Sequence, residues 1–289
     1  MTSTTSTSAD ALLDRGRRFR ALHEQSVPFV VPNPWDAGSA RLLAGAGFAA
    51  LATTSAGLAA SVGVPDGAVG RDDTIRHVAT IAGATDLPVT ADLEDGYDDA
   101  PDAVAAVIAA AAAAGAVGGS IEDLRGRGAD LFPLGLAVER VAAAVEAARA
   151  LPFDFVLTAR CEQPVVDDDA LRMVIERLLA YQEAGADVLY APGVRTAAHI
   201  HAIVSSVDRP VNVVMGLGGF TLPLTELAEL GVRRVSVGSA MARAAYGALL
   251  RAADEIRDDG TFGFAGDAVP YARLNDLLRE WPAMSETRE

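Results

Sequence analysis

The 289-residue sequence is 51% hydrophobic and carries a formal net charge of −15 at pH 7, so it has enough apolar residues for one large core. A chain this acidic repels phosphate backbones, which excludes nucleic-acid binding, and no apolar run reaches the ~20 large apolar residues of a membrane span. All 24 residues counted as Lys or Arg are arginine. Schiff-base enzymes and P-loop nucleotide enzymes need a lysine, so both classes are excluded.

The N-terminal segment and the cysteine content indicate the compartment. Residues 1–8 are rich in Ser and Thr and lack the basic start and apolar stretch of a secretory signal, so we predict a disordered start there. The single cysteine, Cys161, cannot form an internal disulfide or a cysteine-rich metal site. We therefore predict a cytoplasmic protein.

Eight short β-rich runs alternate along the chain with longer amphipathic runs rich in Ala and Leu. Strands are predicted at residues 29–32, 49–53, 88–93, 118–122, 155–159, 188–191, 211–215 and 234–237. Helices are predicted between them at residues 39–45, 72–82, 100–114, 136–150, 168–184, 196–206 and 224–230. This alternation is typical of parallel strands with helical crossovers, and eight units predict a closed (β/α)8 TIM barrel.

Additional helical patterns precede and follow the eight units. They lie at residues 10–25, 240–258 and 269–279, with a turn at 259–267. No Pro-rich or Ser-rich linker interrupts the middle of the chain, so residues 1–289 are predicted to form one domain. Residues 240–289 exceed what eight units need, and we expect them to cap the barrel or to pack on a neighbouring subunit.

Three acidic residues follow the predicted ends of strands three and four, where the active sites of such barrels lie. Asp92 and Glu94 are two residues apart and therefore face the same side of a strand, while Glu122 ends the adjacent strand. Convergent carboxylates repel one another unless a cation compensates, and oxygen ligands suit Mg²⁺ or Mn²⁺. We predict a metal site at these three residues; the alternative is a solvated loop that carries acids.

Other polar residues at the same end of the barrel are candidates for substrate binding. The guanidinium of Arg160 suits a substrate carboxylate, and an ion pair with Glu122 or Glu162 is an alternative that is compatible with this role. Asn212, on the seventh strand, is a candidate donor to a substrate oxygen. The segment after the second strand, Thr54, Ser55 and Ala56, is a candidate anion site through its backbone amides and the hydroxyls of Thr54 and Ser55.

Histidine and cysteine chemistry finds little support in the sequence. The four histidines lie in predicted helices, and His199 and His201 are two residues apart, so they do not share a helix face. Surface positions are predicted for all four histidines, which argues against serine-hydrolase and zinc chemistry. Cys161 directly follows Arg160 and is expected to point away from the barrel axis and to pack.

These residues stand in stretches that resemble the isocitrate lyase / phosphoenolpyruvate mutase superfamily. The stretches occur in the family's order and spacing at residues 33–41 (NPWDAGSAR), 54–57 (TSAG), 63–66 (GVPD), 92–97 (DLEDGY), 120–123 (SIED) and 159–160 (AR). The resemblance covers residues 30–239, and its most specific part is the acidic D-x-[DE]-x-G-[YF] motif followed by I-E-D. It implies a homotetramer, often with a C-terminal helix exchanged between subunits, and we expect a homotetramer or a homodimer.

The resemblance also implies roles for single residues. Asp92 would bind Mg²⁺, with Glu94 and Glu122 holding the ion directly or through water. The substrate carboxylate would be held by Arg160. Thr54 and Ser55 would contact the oxo-acid end of the substrate. Asp66 matches an acidic position that lies near the reacting group in the mutase branch.

The loop after the fourth strand departs from both branches of the superfamily. The lyase branch carries a catalytic cysteine in a K-[KR]-C-G-H loop, whereas residues 123–130 read DLRGRGAD and contain neither Cys nor His. This argues against cleavage of isocitrate or methylisocitrate. The Lys and Asn that the mutase branch uses are also absent, although Arg125 and Arg127 are available to an anion.

The function predicted from these features is a Mg²⁺-dependent C–C lyase or decarboxylase, acting through an enolate on a small 2-oxo or 2-hydroxy acid that resembles oxaloacetate. Loss of CO₂ needs neither a protein nucleophile nor an acid on the leaving group, which fits the residues that are missing. Residues 125–130 are expected to close over the site and exclude water. Two alternatives stay open: P–C bond chemistry by a mutase or a phosphonopyruvate hydrolase, and non-catalytic binding of an oxo acid.

Overall fold

The computed structural model describes residues 8–126, 128 and 130–279, and its central element is one eight-stranded parallel sheet. The strands are β1 Phe29–Val31, β2 Leu51–Ala52, β3 Val89–Asp92, β4 Gly118–Glu122, β5 Val156–Arg160, β6 Val188–Tyr190, β7 Val211–Val214 and β8 Arg234–Ser236. Their order is β1-β8-β7-β6-β5-β4-β3-β2. The amide of Ala52 donates to the carbonyl of Pro32 at 3.0 Å, next to β1, so the sheet is a nearly closed barrel. The predicted (β/α)8 fold is confirmed.

Helices surround the barrel and extend beyond it at both ends of the described chain. They are α1 Ser8–His23, α2 Ala37–Gly45, α3 Ser55–Ser61, α4 Arg71–Gly83, α5 Pro101–Ala113, α6 Leu134–Arg149, α7 Asp168–Glu183, α8 Ala197–Ser206, α9 Leu224–Glu229, α10 Ala240–Asp254 and α11 Tyr271–Arg279. A π-helical turn, Glu255–Asp259, continues α10, and a short 3₁₀ helix covers Gly263–Asp267. Each of the predicted helices is present within a few residues.

Local side-chain caps explain where several crossover helices begin. The carboxylates of Asp36 and Asp167 accept hydrogen bonds from the first-turn amides of α2 and α7, and Thr196 does the same for α8. Such caps satisfy amides that have no partner within the helix. They fix the residue at which each strand-to-helix loop ends.

Helix α3 was not predicted, and it occupies the segment that we expected to be an anion-binding loop. Thr54 is extended, and its hydroxyl caps the helix by accepting from the amide of Gly57 at 3.3 Å. The helix ends before Gly63, whose φ of 76° lies in the left-handed region that favours glycine. Thr54, Ser55 and Ala56 therefore form the start of a helix rather than an irregular loop.

The end of the barrel at which the strands begin is filled by the first helix. Phe19 of α1 is fully buried and packs with Phe29, Val156 and Val188 in one apolar cluster. At Gly118 a Cβ atom would lie 2.7 Å from the Phe19 ring, so this ring reaches the barrel interior. A ligand must consequently enter from the opposite end, where the strands finish.

Two of the four histidines correct the sequence prediction, because His23 and His77 are buried. The His23 ring packs edge-on against Phe19 and Phe29, with its Nδ1 2.8 Å from the Phe19 carbonyl. Burial, aided by the nearby charge of Arg234, lowers the pKa of His23 to about 3, and burial lowers that of His77 to about 4. Both are neutral at pH 7 and serve packing. Cys161 is buried in the core as predicted, and burial raises the pKa of its thiol.

The outermost residues at both ends of the chain lie outside the described part of the structure. The predicted disordered start at residues 1–8 lies outside the described residues except for Ser8, where α1 begins, and residues 280–289 also lie outside them. Within the described part of the chain, none of the helices combines the length and apolar character needed to cross a membrane.

Candidate functional site

A cavity of about 270 Å³ opens where the carboxyl ends of the barrel strands meet. Seven of the nine residues predicted from the sequence line it, namely Thr54, Ser55, Ala56, Asp66, Asp92, Arg160 and Asn212. The other two, Glu94 and Glu122, interact with residues of the lining. The barrel topology therefore gathers residues from six segments of the chain at one entrance.

Arg160, the last residue of β5, is the centre of an ion-pair network at this entrance. Its Nη1 lies 3.0 Å from Asp92 Oδ1, and its Nη2 lies 3.0 Å from Glu122 Oε2 and 2.6 Å from Glu162 Oε1. Burial opposes its charge, but the three carboxylates outweigh this effect and hold the pKa of Arg160 well above its usual value. The Arg–Glu pairing that the sequence left as an alternative is thus present with both glutamates.

The acids around Arg160 destabilise one another's ionised forms. Burial, with smaller repulsion from Glu162, Asp92 and Glu94, raises the pKa of Glu122 to about 8, although Arg160 opposes the shift. Burial and repulsion from Asp92 and Asp66 raise the pKa of Glu94 to about 7. One guanidinium therefore does not compensate this group of carboxylates, which is the electrostatic situation that a cation relieves.

Glu94 reaches this group by a route that differs from the prediction. Strand β3 ends at Asp92, and Glu94 has a φ of 50°, in the left-handed region that non-glycine residues rarely adopt. Its carbonyl accepts from the amide of Glu122 at 3.0 Å, and the hydroxyl of Tyr97 donates to its carboxylate at 3.3 Å. A left-handed turn after the strand, rather than strand alternation, turns Glu94 back toward the other acids.

Hydrogen bonds to the Ser55 amide and to the Thr53 hydroxyl hold Asp92 in place. The amide of Ser55 donates to Asp92 Oδ2 at 3.1 Å, and the Thr53 hydroxyl accepts from the Asp92 amide at 2.8 Å. The predicted anion site at α3 is therefore already engaged in part by a protein carboxylate. Asn212 is buried and donates to the Ser236 hydroxyl at 3.1 Å, and its Oδ1 has no partner among the described residues.

The donor set fits a hard divalent cation, although the acids are not arranged around one. Among the residues that the structure describes, no three His, Cys, Asp or Glu side chains converge closely enough to hold a metal on their own. The reason is that the guanidinium of Arg160 lies between Asp92 and Glu122 and binds an oxygen of each. Carboxylate oxygens are the ligands that Mg²⁺ and Mn²⁺ prefer, and a bound cation would favour the ionised forms of Glu94 and Glu122, which burial and the neighbouring acids disfavour.

Sequence reasoning missed a buried network directly behind the entrance. Asp123 is 3% exposed and accepts from the Glu162 amide at 2.8 Å, from Arg177 Nη1 at 3.0 Å and from the Tyr181 hydroxyl at 2.6 Å. It thereby fixes the backbone of Glu162, which in turn holds Arg160. The available signal was the i,i+4 spacing of Arg177 and Tyr181 on one face of a predicted helix.

The loop after β4 is tied to the loop after β3. Arg125 Nε donates to Asp99 at 2.9 Å, and the amide of Gly126 donates to Asp95 at 2.9 Å. Arg125 thus has a carboxylate partner of its own, while Arg127 lies outside the described residues. Closure of residues 125–130 over the cavity stays a prediction.

Comparisons with known proteins agree with this architecture. The sequence matches the phosphoenolpyruvate phosphomutase family profile over residues 19–257. An oxaloacetate decarboxylase from Chromohalobacter salexigens is 31% identical over 273 residues, which cover 91% of this chain and 93% of the relative. A solved structure from Burkholderia cenocepacia, described as a lyase/mutase, has a TM-score of 0.91 and 57% identity and covers 93% of this chain and 98% of that one. A phosphonopyruvate hydrolase in complex with oxalate and Mg²⁺ has a TM-score of 0.81 and 26% identity, covering 92% of this chain and 95% of the other.

Proposed function

We propose, since the chain belongs to the phosphoenolpyruvate phosphomutase family, that it is a Mg²⁺-dependent enzyme that breaks a C–C bond in a small, oxaloacetate-like 2-oxo acid. The observation that carries this proposal is the group of Asp92, Glu94 and Glu122 around Arg160 at the open end of the barrel. The oxaloacetate decarboxylase among the relatives supports the substrate class.

Each residue of the group has a distinct part in the proposed reaction. Asp92, Glu94 and Glu122 would hold Mg²⁺ or Mn²⁺, and the ion, when bound, would supply positive charge against the charge that develops on the substrate's 2-oxo oxygen. The planar guanidinium of Arg160 stands at the same entrance and neutralises a carboxylate of the acid. Asp66, exposed at the rim, is proposed to lie near the reacting bond.

The loop at residues 123–130 decides between kinds of bond cleavage. Cleavage into two organic fragments needs a proton donor for the departing carbon, and this loop contains no Cys or His. Departure of CO₂ needs no such donor at the leaving group, and the enolate that remains would take its proton from water. Decarboxylation is therefore the reaction that the residues favour over a lyase reaction of the isocitrate type.

P–C bond chemistry is the second candidate, since a phosphonopyruvate hydrolase shares the fold and 26% identity. A phosphonate carries more negative charge than a carboxylate and needs additional cations near the reacting end. The described arginine of the loop, Arg125, is already paired with Asp99. This pairing favours the carboxylic acid over the phosphonate.

The test is a screen of 2-oxo and 2-hydroxy acids with Mg²⁺, including oxaloacetate and phosphonopyruvate, with the enzyme-free reaction subtracted. We expect turnover of an oxaloacetate-like acid, and a loss of at least ~10²-fold in kcat/KM for Asp92→Asn. The control is Asp86→Asn, at a carboxylate that is 91% exposed and remote from the cavity. Full activity of Asp92→Asn refutes the metal assignment. Turnover of phosphonopyruvate alone selects the second candidate, and tight binding without any turnover selects a non-catalytic binding protein.

We also propose that the protein works in the cytoplasm as a homotetramer or homodimer. Large apolar side chains are exposed along the C-terminal helices, among them Leu249, Leu250, Ile256 and Phe262, and none of the residues of α11 is buried. A second copy of the chain would cover these side chains. Size-exclusion chromatography with light scattering tests this proposal: a monomer at micromolar concentration contradicts it, and Leu250→Glu is expected to weaken the assembly.

A further inference from the structure

A second arginine lies deeper in the same cavity. Arg234 begins β8, is 4% exposed, and lines the cavity together with Arg160. Its Nη1 donates to the Thr158 hydroxyl on β5 at 2.9 Å. Strands β8 and β5 are separated by β7 and β6 in the sheet, so the guanidinium reaches across the barrel interior and forms the floor of the cavity.

Three buried polar atoms on this cavity wall have no hydrogen-bond partner among the described residues. They are Arg234 Nε, Thr90 Oγ1 and Asn212 Oδ1. Buried polar groups in native proteins are almost always hydrogen-bonded, so unpartnered atoms on three residues that line one cavity indicate a polar partner there, either a water or a ligand. Two of them, the guanidinium and the threonine hydroxyl, can donate to an anion, while Asn212 Oδ1 accepts and suits a substrate hydroxyl or a water.

The two arginines of the cavity differ in their charge partners. Arg160 is paired with three carboxylates, whereas Arg234 forms no ion pair with any carboxylate that the structure describes. Burial lowers the pKa of Arg234 to about 10, with a small opposing effect from Tyr190, so the side chain is still charged at pH 7. A buried, unpaired guanidinium is costly and is expected to have an anionic ligand.

The spacing along the strands fits a carboxylate between two levels of the cavity, the floor at Arg234 and the entrance at Arg160. Thr158, which contacts Arg234, precedes Arg160 by two residues, and Thr90 precedes Asp92 by two residues. Two residues of parallel strand advance by roughly 6.6 Å. A carboxylate can span a gap of this size when one oxygen is hydrogen-bonded to the floor and the other points toward the entrance. Each hydrogen bond separates donor and acceptor by ~2.9 Å.

We propose that Arg234 binds the carboxylate that the substrate keeps after the reaction, with the Thr90 hydroxyl as a second donor. This orientation points the bond that breaks toward the open entrance, from which CO₂ leaves. The inference rests on the proposed function, and it adds a binding residue that the family resemblance did not suggest.

The test measures binding rather than turnover. Oxalate, a metal-chelating diacid that the reaction does not consume, and pyruvate are titrated calorimetrically into the Mg²⁺-loaded protein. Arg234→Met keeps most of the side-chain volume and removes the charge, and we expect it to bind both ligands ~10- to 100-fold more weakly. Arg233→Met is the matched control, because Arg233 precedes β8 and binds only backbone carbonyls of Gly231 and Val232.

Each outcome supports or overturns the assignment. Affinity of Arg234→Met for oxalate equal to that of the wild type overturns it, and this would show that water alone satisfies the floor. If the Met variant does not fold, Arg234→Lys replaces it, because lysine keeps the charge but lacks the planar, two-pronged guanidinium. We expect this variant to bind oxalate about tenfold more weakly, and an unchanged affinity overturns the assignment. Wild-type protein that binds neither acid with Mg²⁺ refutes the proposed function itself, which is a distinguishable result.

Discussion

Replacing Arg160 by Gln should reveal how far this side chain substitutes for a metal ion. In the described structure Arg160 is the only ion-pair partner of Asp92 and Glu122, and it also binds Glu162. These four side chains are 11% to 18% exposed, so solvent screens them poorly. The substitution leaves a set of largely buried carboxylates without a compensating charge.

The expected loss of stability is large in the absence of metal. Breaking a buried ion pair by removing one partner costs ~3–5 kcal/mol, because the remaining charge stays desolvated. The matched control is Arg149→Gln. Its ion pair with Asp187 has a similar 2.6 Å separation, but the Arg149 side chain is 46% exposed. Because Arg149 is exposed and Asp187 keeps a second arginine, Arg20, at 3.4 Å, this substitution should cost less than ~1 kcal/mol.

The pH and Mg²⁺ dependence separates this electrostatic effect from a packing effect. Glu122 and Glu94 have pKa values of about 8 and 7 in the folded protein, so both are largely protonated at pH 6 and ionised at pH 9. The loss caused by Arg160→Gln should therefore be smaller at pH 6 than at pH 9. Mg²⁺ at a hundred times its dissociation constant adds ~2.7 kcal/mol to the free energy of unfolding by linkage. The variant should bind Mg²⁺ more tightly than the wild type, because it no longer carries the guanidinium that competes for the same carboxylates.

Urea unfolding followed by circular dichroism, at pH 6 and pH 9 with EDTA or Mg²⁺, measures all of these quantities. A loss below ~1 kcal/mol at pH 9 would refute the view that Arg160 compensates the acids. An equal Mg²⁺-induced gain in the wild type and in the Arg160→Gln variant would refute the view that the guanidinium and the metal compete for the same oxygens.

Three further predictions follow from the same structure. Glu122 and Glu94 hold protons in the folded state that the unfolded chain, with an ordinary value of 4.5, has lost, so the stability of metal-free protein should fall as the pH rises from about 4.5 to about 8. Glu122→Gln should flatten the upper part of this urea-unfolding profile, and an unchanged slope would contradict the assignment. Asp123→Asn should lower the free energy of unfolding in urea by ~3–5 kcal/mol, because it leaves Arg177 without its counter-ion. Tyr181→Phe should lower it by ~1–2 kcal/mol, because it removes one hydrogen bond. Equal losses for the two variants would contradict this assignment. Gly118→Ala should destabilise the protein by ~1–3 kcal/mol in thermal melts, because the new Cβ would overlap the Phe19 ring and the Val156 carbonyl. The control, Gly135→Ala, should be neutral or slightly stabilising, because nothing lies within 4 Å of its new Cβ.

Much of the architecture was predictable because each element carries its own local signal. Alternating apolar runs predicted all eight strands, and β4 was predicted with the bounds that it has in the structure. Helix α3 was missed because its first residues, Thr-Ser-Ala-Gly, are small and polar and are typical of a loop. Only the cap by Thr54 shows that a helix starts there, and that hydrogen bond is a property of the folded chain.

The site was predictable where strand ends place side chains, and less so where turns or tertiary contacts do. Asp92 and Arg160 end strands β3 and β5, so the barrel topology alone brings them together. Glu94 depends on a left-handed backbone conformation that no periodic pattern reveals. Asp123 was missed because its partners lie on α7, and pairing across 54 residues requires the packed structure.

At both the floor and the entrance of the cavity, buried charged groups lack enough counter-charge, and this links stability to ligand binding. The acids at the entrance lack positive charge, and Arg234 at the floor lacks a negative partner, so both levels lower the stability of the ligand-free protein. They have different partners, since Arg234 contacts Thr158 and the acids contact Arg160. A ligand that supplies the missing charge at either level should therefore stabilise the fold: Mg²⁺ at the acids, and the carboxylate of an oxo acid at Arg234. If both ligands bind as proposed, the rise in melting temperature that oxalate adds to the Mg²⁺-loaded protein should be smaller in Arg234→Met than in the wild type, while the rise caused by Mg²⁺ alone should remain.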